Sequence, residues 1–353
     1  MNPIVSVIIP CYNKSDYLIE MIKCCQAQNL VNWELILVDD GSTEEEYNKV
    51  DSFISNDERV IHCRRNRVPK NGNTCRNIGL ERSKGKYIIF FDSDDLISNK
   101  CLKERVDFME SHVDCDYATF PAAFFNDGDV LPKWGEATTV VGNYKKNSDI
   151  LKQLLSYNYP FTVWSNIYRY SSIKNIRWDE NVLVLQDFDW MLSCELQELK
   201  HLYSKSNNYD YYYRQFNDGQ NVCGSFAGKA KCQSTLYLFN KILNILKERD
   251  DYELRKAQFF YYITVHLNRL IVANEFDESE LFLEMCSIFY SDARIKSLRS
   301  VKEYYESRAH SDNSISPMQL YFVCASKYKI RRYYVLFLKN LVRVIVGKPQ
   351  SMY

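Results

Sequence analysis

Tyr87-Ile88-Ile89-Phe90-Phe91-Asp92-Ser93-Asp94-Asp95 is the stretch whose reading decides the fold. Five apolar, β-prone residues run without a polar interruption and then give way to three carboxylates. A strand lacking polar alternation is buried on both faces, as in a parallel sheet covered by helices. The carboxyl end of such a strand is where open α/β sheets bind ligands. Acids crowded at that end repel one another unless a cation neutralises them. Oxygen-only ligands select a hard ion, Mg²⁺ or Mn²⁺, and a hard ion facing phosphate points to diphosphate chemistry.

Working outward, the first 125 residues alternate strand and helix. Ile4–Ile9 reads as a strand stopped by Pro10, and Ser15 as the cap of a helix with Leu18, Met21, Ile22 and Cys25 on one face. Glu34–Val38 is a second strand, followed by a helix capped by Ser42 with Tyr47, Val50, Phe53 and Ile54 inward. Val60–Cys63 is a short third strand. Asn73 or Thr74 opens a helix running to about Ser83 and closed by Gly85. After the fourth strand, Tyr87–Phe91, come a helix near Lys100–Glu110 and one strand over Tyr117–Phe125. This order predicts an α/β fold with a mostly parallel, Rossmann-like sheet and right-handed crossovers. The ends at Pro10–Asn13, Asp39-Asp40 and Asp92–Asp95 then converge on one sheet edge, the expected nucleotide site.

Beyond residue 125 the pattern is less regular. Helices are expected at Asp149–Ser156 and Phe188–Leu199 and a strand at Tyr209–Arg214. From about Lys229 the text turns helical, over Gln233–Lys247, Glu253–Ala273, Glu278–Phe289 and Lys296–Ser307. The expected division is a domain over 1–228 and a C-terminal helical region over 229–353.

Composition narrows the function. The 353 residues carry 45 basic and 45 acidic side chains, and this neutrality argues against a general nucleic-acid binder. The twelve cysteines form no Cys-x-x-Cys pair and many sit in apolar runs (Cys11, Cys194, Cys324), free-thiol usage that fits a reducing compartment. The five histidines make no ligand-spaced cluster, which disfavours zinc. No basic start precedes a long apolar region, and no run of 18 apolar residues exists, so neither a signal peptide nor a membrane span is expected. The charge is unevenly placed. Lys327–Lys348 holds seven Lys/Arg and no acid, leaving the first 326 residues with 38 basic against 45 acidic side chains. As a helix, that tail could lie on an anionic membrane surface or dock on the helical region or on a second copy.

Four ordered blocks carry a resemblance. Val5–Asn13, Leu37–Thr43, Arg76-Asn77-Ile78-Gly79 and Gly85–Asp95 resemble the family 2 glycosyltransferases of GT-A fold, of the bacterial cell-surface polysaccharide type. The resemblance covers roughly residues 3–125 and returns around 164–225. It implies an inverting transfer of sugar from a nucleotide diphosphate sugar, UDP-linked by expectation, to a hydroxyl of a glycan or lipid-linked acceptor. The setting it implies is the cytoplasm, at the inner face of the cytoplasmic membrane.

The resemblance also assigns roles. Asp39 matches the residue that accepts a hydrogen bond from the nucleobase, and a carboxylate suits this as a pure acceptor; the plainer reading is a charge at the strand–helix turn. Pro10 and Tyr12 match the turn that cradles base and ribose, with Tyr12 stacking on the base or simply packing. Arg76 suits diphosphate oxygens or is a solvated side chain. Asp92-Ser93-Asp94 matches the Asp-x-Asp motif, with Asp94 the direct ligand of Mn²⁺ or Mg²⁺ and Asp92 on ribose or a metal-bound water; Asp95 fits a structural role. Gln186-Asp187-Phe188-Asp189-Trp190 matches a block whose Asp is the general base. Asp187 keeps that position, with helix capping as the rival, and Gln186 replaces a Glu. Trp164 and Trp190 face sugar, acceptor or core. Related sequences read Tyr-Arg-Gln-His where this chain has Tyr213-Arg214-Gln215-Phe216, so Arg214 or a residue in 217–225 is left to compensate for the missing imidazole.

Two rivals differ in class. A sugar nucleotidyltransferase normally opens with a Gly-rich phosphate loop, whereas Pro10–Lys14 contains no Gly, and no Gly-x-Gly-x-x-Gly supports a dehydrogenase. A nucleotide-sugar-binding subunit without catalysis is the non-enzymatic rival, suggested by Gln186 and Phe216.

Overall fold

The computed structural model describes residues 3–131, 149–204, 209–216, 228–272, 275–291 and scattered positions up to 306. The Lys327–Lys348 tail and residues 217–225 lie outside the described residues. The chain divides into two compact units, one over 1–154 with 159–224 and one over 155–158 with 225–353.

The first unit is built on the expected alternation: β1 (Val5–Cys11), α1 (Ser15–Gln26), β2 (Trp33–Asp39), α2 (Glu44–Ile54), β3 (Val60–Arg64), α3 (Gly72–Arg82) and β4 (Tyr87–Phe90). Next come β5 (Leu96–Ile97), α4 (Cys101–Ser111), β6 (Tyr117–Thr119), β7 (Ala122–Asn126) and α5 (Ile150–Leu155). The unit finishes with β8 (Asn166–Arg169), α6 (Tyr170–Ile173), α7 (Gln186–Leu196), β9 (His201–Tyr203) and β10 (Tyr211–Gln215). Seven strands form one sheet in the order β3-β2-β1-β4-β8-β6-β9. Only β8 runs against the others, through antiparallel pairing with β4 and β6. A second sheet, β5-β10-β7, holds the remaining three strands. This is the GT-A type of mostly parallel sheet with helices.

The central strands are buried because they are apolar on both faces: Val5, Val7, Ile8, Ile9 and Leu35–Leu37 are fully inaccessible. Close approach of α3 to β1 requires Gly79, where a Cβ would collide with Ile8, and at Gly85 a Cβ would lie 2.5 Å from the Ser6 nitrogen. Gly85 therefore serves the approach of two backbones rather than a helix end. Eight of the ten described cysteines are buried and none of the ten forms a disulfide, so they behave as small hydrophobes.

Several expected boundaries move for identifiable reasons. Pro10 does not stop β1; it pairs with Val38, and β4 has already left on the side to which its missing N–H would point. Ser15 is not a cap but the first helical residue of α1, its N–H donating to Glu46 Oε2 at 2.6 Å. Thr43, not Ser42, caps α2, while Asn71, not Asn73 or Thr74, caps α3 by accepting from the Thr74 N–H at 2.9 Å. The single strand expected over Tyr117–Phe125 breaks at Phe120-Pro121, because β6 pairs with β8 and β9 whereas β7 pairs with β10.

The second unit contains α8 (Lys229–Lys247), α9 (Tyr252–Val272) and α10 (Phe276–Ser287), which pack on one another around Phe239, Phe259, Tyr262 and Phe282. Among the described residues no helix is long and apolar enough to cross a membrane.

Candidate functional site

The carboxyl ends of β1, β2 and β4 open on the same sheet edge because the three strands are parallel and in register. Tyr12, just past β1, is half exposed and stands clear of the core, so its ring is not a packing group. The Lys70 ammonium lies 3.7 Å from the centre of that ring. Asn13 and Lys14 follow with φ of 52° and 55°. Two consecutive left-handed non-glycine residues each cost about 1–3 kcal/mol and need fixed surroundings. Those surroundings come from the β2–α2 turn: the Asn13 N–H donates to Ser42 Oγ at 2.7 Å, and Asn13 Oδ1 accepts from the Thr43 N–H at 3.2 Å.

Asp39 ends β2 and is buried. Its Oδ2 accepts the N–H groups of Gly41 and Ser42, both at 3.0 Å, with Ser42 also 3.3 Å from Oδ1. The carboxylate thus fastens its own turn first and has acceptor capacity left on Oδ1. Asp40 is a different case: Oδ1 accepts from Arg65 Nε at 2.7 Å, and burial raises its carboxyl above the usual range despite that partner.

At the end of β4 the three acids separate by role. Asp95 is buried, accepting from the Tyr211 hydroxyl at 2.5 Å and from the Arg214 N–H at 2.7 Å, so it ties β4 to β10. Asp92, Ser93 and Asp94 stay partly open. Each of the two open acids faces a cation. Arg76 Nη2 donates to Asp92 Oδ1 at 3.1 Å, and the Lys14 ammonium lies 3.6 Å from Asp94 Oδ2.

Arg76 is not the solvated side chain that one reading allowed. It is buried, its guanidinium is 4.6 Å from the centre of the Trp178 ring, and Nη1 donates to Gln186 Oε1 at 3.0 Å. One guanidinium therefore joins the tip of β4 to the first residue of α7, which lies 110 residues after Arg76 itself. Beside Gln186 stands Asp187. Burial pushes its carboxyl above the usual range, against the pull of Arg76 and of a hydrogen bond from the Val163 backbone. Burial likewise lifts Asp92 to about 6, with Arg76 opposing and the Asp187 and Asp94 charges adding to it. The charge of Asp187 thus reaches Asp92 at the tip of β4.

The segment that delivers Asp187 is fixed by asparagines of α3 and its cap. Asn71 and Asn73 donate to the backbone carbonyls of Glu180 (2.7 Å), Asp179 (2.8 Å) and Val182 (3.2 Å). Asn77 and Trp178 exchange two bonds, at 2.9 and 3.0 Å. Leu185, with φ of 61°, turns the chain into α7. The sequence reading named Asn73 as a helix opener and Asn77 within a matched block, but not their bonds to this segment, nor Asn71, Trp178 or the acceptor role of Gln186; the Asn-x-Asn-x-x-x-Asn spacing at 71, 73 and 77 is the signal for them.

Other expected candidates fall in the core. Trp164 stacks on Tyr211 at 4.5 Å, and Trp190 stacks on Trp178 at 4.6 Å and meets Phe90 edge-on. Both are buried. Arg214 does not replace the missing imidazole. Its guanidinium is committed to the Asp94 carbonyl (2.6 Å), Asp127 (2.5 Å) and Glu20 (2.5 Å).

Among the described residues no group of three or more His, Cys, Asp or Glu side chains is placed to hold a metal. The partly open pair Asp92 and Asp94 fits a hard ion that takes one or two protein carboxylates and completes its shell with substrate phosphates and water.

The model of "Glycosyl transferase family 2" matches residues 6–177. An uncharacterized glycosyltransferase of Haemophilus influenzae is 42% identical over 109 residues, covering 30% of this chain and 42% of that protein. The minor teichoic acid biosynthesis protein GgaB of Bacillus subtilis is 27% identical over 324 residues, covering 85% of this chain and 34% of that one. The chain thus spans less than half the length of these curated relatives. Among solved structures, S. aureus TarS in complex with UDP-GlcNAc matches with a TM-score of 0.61 at 20% identity, over 86% of this chain and 87% of that one. Residues 6–177, just under half of the chain, thus match glycosyl transferase family 2, the family that the four sequence blocks resemble.

Proposed function

We propose that the chain is an inverting glycosyltransferase that moves a sugar from a UDP-linked donor to a hydroxyl of a glycan or lipid-linked acceptor in cell-surface polysaccharide synthesis, at the inner face of the cytoplasmic membrane. The observation that carries this reading is the Arg76 bridge, which sets the open acids of β4 and the half-buried Asp187 on one cleft. GgaB, named for teichoic acid biosynthesis, supports the polymer class, and TarS, crystallised with UDP-GlcNAc, supports the donor class.

In this reading Tyr12 offers its exposed ring to the nucleobase, Pro10 shapes the turn beneath it, and Asp39 Oδ1 accepts the base N–H. Asp94, with Asp92, would hold Mn²⁺ or Mg²⁺, which supplies positive charge to the departing diphosphate. Ser93 and Arg76 line the same end. Asp187 takes the acceptor proton as the hydroxyl attacks the anomeric carbon from the face opposite the diphosphate. A carboxylate whose affinity for protons is raised by burial is the better base for that step.

The test is release of UDP from UDP-GlcNAc and UDP-glucose with acceptor glycans, with and without Mn²⁺. Asp187→Asn is expected to lower turnover by about 10²–10⁴-fold while leaving UDP affinity near wild type. Transfer at the native rate in that variant removes the base assignment. A protein that binds UDP but transfers nothing from any donor is the non-catalytic binding subunit instead.

A further inference from the structure

Of the two cations that face the open acids at the tip of β4, Arg76 and Lys14, the second is one that no motif assigned. Lys14 directly follows the β1 turn, and its left-handed backbone is held by Asn13 and by the β2–α2 turn. Its ammonium sits 3.6 Å from Asp94 Oδ2 and 4.4 Å from the centre of the Phe216 ring, with the Tyr17 ring at 6.0 Å. Tyr17 meets Phe216 edge-on at 5.3 Å, which fixes the aromatic seat. Among the described residues the ammonium donates no hydrogen bond within 3.5 Å, and about a third of the side chain is exposed. Held by an ion pair and a ring face rather than by short hydrogen bonds, the ammonium keeps N–H donors for an incoming anion.

Phe216 explains the placement. The face of a benzene ring attracts an ammonium, whereas an imidazolium at the same position would repel it. Arg214, the neighbouring cation, is consumed by Glu20, Asp127 and the Asp94 carbonyl. We propose that Lys14 is a diphosphate-binding residue of this chain: seated on Phe216 and tethered by Asp94, it turns its ammonium to the donor's phosphate oxygens. Phe216 is then a positioning residue, supplying the seat rather than a donor. The proposal rests on the nucleotide-diphosphate reading above and adds a residue to it.

The experiment is calorimetric titration of the full chain with UDP in the presence of Mn²⁺, alongside ligand-observed NMR of uridine, which carries no phosphate. Lys14→Met keeps the side chain's length and removes its charge. It is expected to weaken UDP about tenfold or more, as loss of a charge-assisted contact does, and to leave uridine binding unchanged. Lys14→Arg is expected to stay within about threefold of wild type. Phe216→Leu should weaken UDP by a smaller factor. In the double variant the loss should equal that of Lys14→Met alone, because both changes remove one interaction. Unchanged UDP affinity in Lys14→Met overturns the proposal and leaves the glycosyltransferase reading standing. Equal losses for UDP and uridine also overturn it, since they report a disturbed fold. If wild type binds no nucleoside diphosphate, the reading beneath it falls as well.

Discussion

Arg76 is the residue on which the two halves of the cleft depend. Its plane is set by Trp178 at 4.6 Å, and two of its nitrogens point in different directions, one to Asp92 and one to Gln186. A lysine has one donor point and cannot span both. Arg76→Lys should therefore leave the fold intact but release α7 from β4. The expected outcome is a fall in kcat of about tenfold or more, larger than any change in KM for donor, because the reacting groups lose their mutual placement. Steady-state kinetics of the variant check this, and a pure KM effect would assign Arg76 to donor binding alone. Gln186 matters for the same reason. A neutral acceptor fixes the guanidinium without cancelling its charge, so Arg76 still counters the Asp92 and Asp187 carboxylates.

Between elements, a buried ion pair joins α4 to Asp210, the residue just before β10. Arg105 Nε and Nη2 meet the two oxygens of Asp210 at 2.7 and 2.8 Å, and both side chains are essentially inaccessible. The remaining guanidinium nitrogen donates to the carbonyls of Trp164 and Asn166, so every nitrogen of the buried charged group has a partner. Removing one partner leaves a buried charge unpaired, so Asp210→Ala should destabilise the protein by about 3–5 kcal/mol. The pair replaced together, Arg105→Met with Asp210→Leu, should cost much less than the sum of the single changes. Urea titration of the four proteins measures the coupling. Elements of this kind were unevenly legible. The four parallel strands were visible because apolar runs and their polar stops are local properties, and the Asp-x-Asp tip came with them. Helix starts slipped by one to three residues where neighbouring Ser, Thr and Asn compete for the cap, as at Ser42 against Thr43. The break after β6 was hidden because the identity of each half's partner is tertiary information. Lys14 was hidden too, since its aim depends on two backbone angles that residue types do not dictate.

At the scale of the whole chain, part of the acid response belongs to the helical unit. In the helical unit, His266 is 2% exposed and lies between Phe239 and Phe282, with ring centres at 5.4 and 5.3 Å. Burial, with the nearby Arg269 charge, pushes it down to about 3. The unfolded chain takes up a proton near 6.5 while the folded one does not, so the folded state is favoured fully above pH 6.5 and progressively less from there down to about pH 3. At about 1.36 kcal/mol per pH unit, the loss from this one residue at pH 5 is about 2 kcal/mol. His266→Phe removes the titrating group while keeping an aromatic ring among its neighbours. Scanning calorimetry at pH 7 and pH 5 should show a smaller acid-induced fall in Tm for the variant than for wild type. Equal falls would mean that the imidazole accepts its proton without leaving the core, and the acid sensitivity of the helical unit would then have to come from its carboxylates.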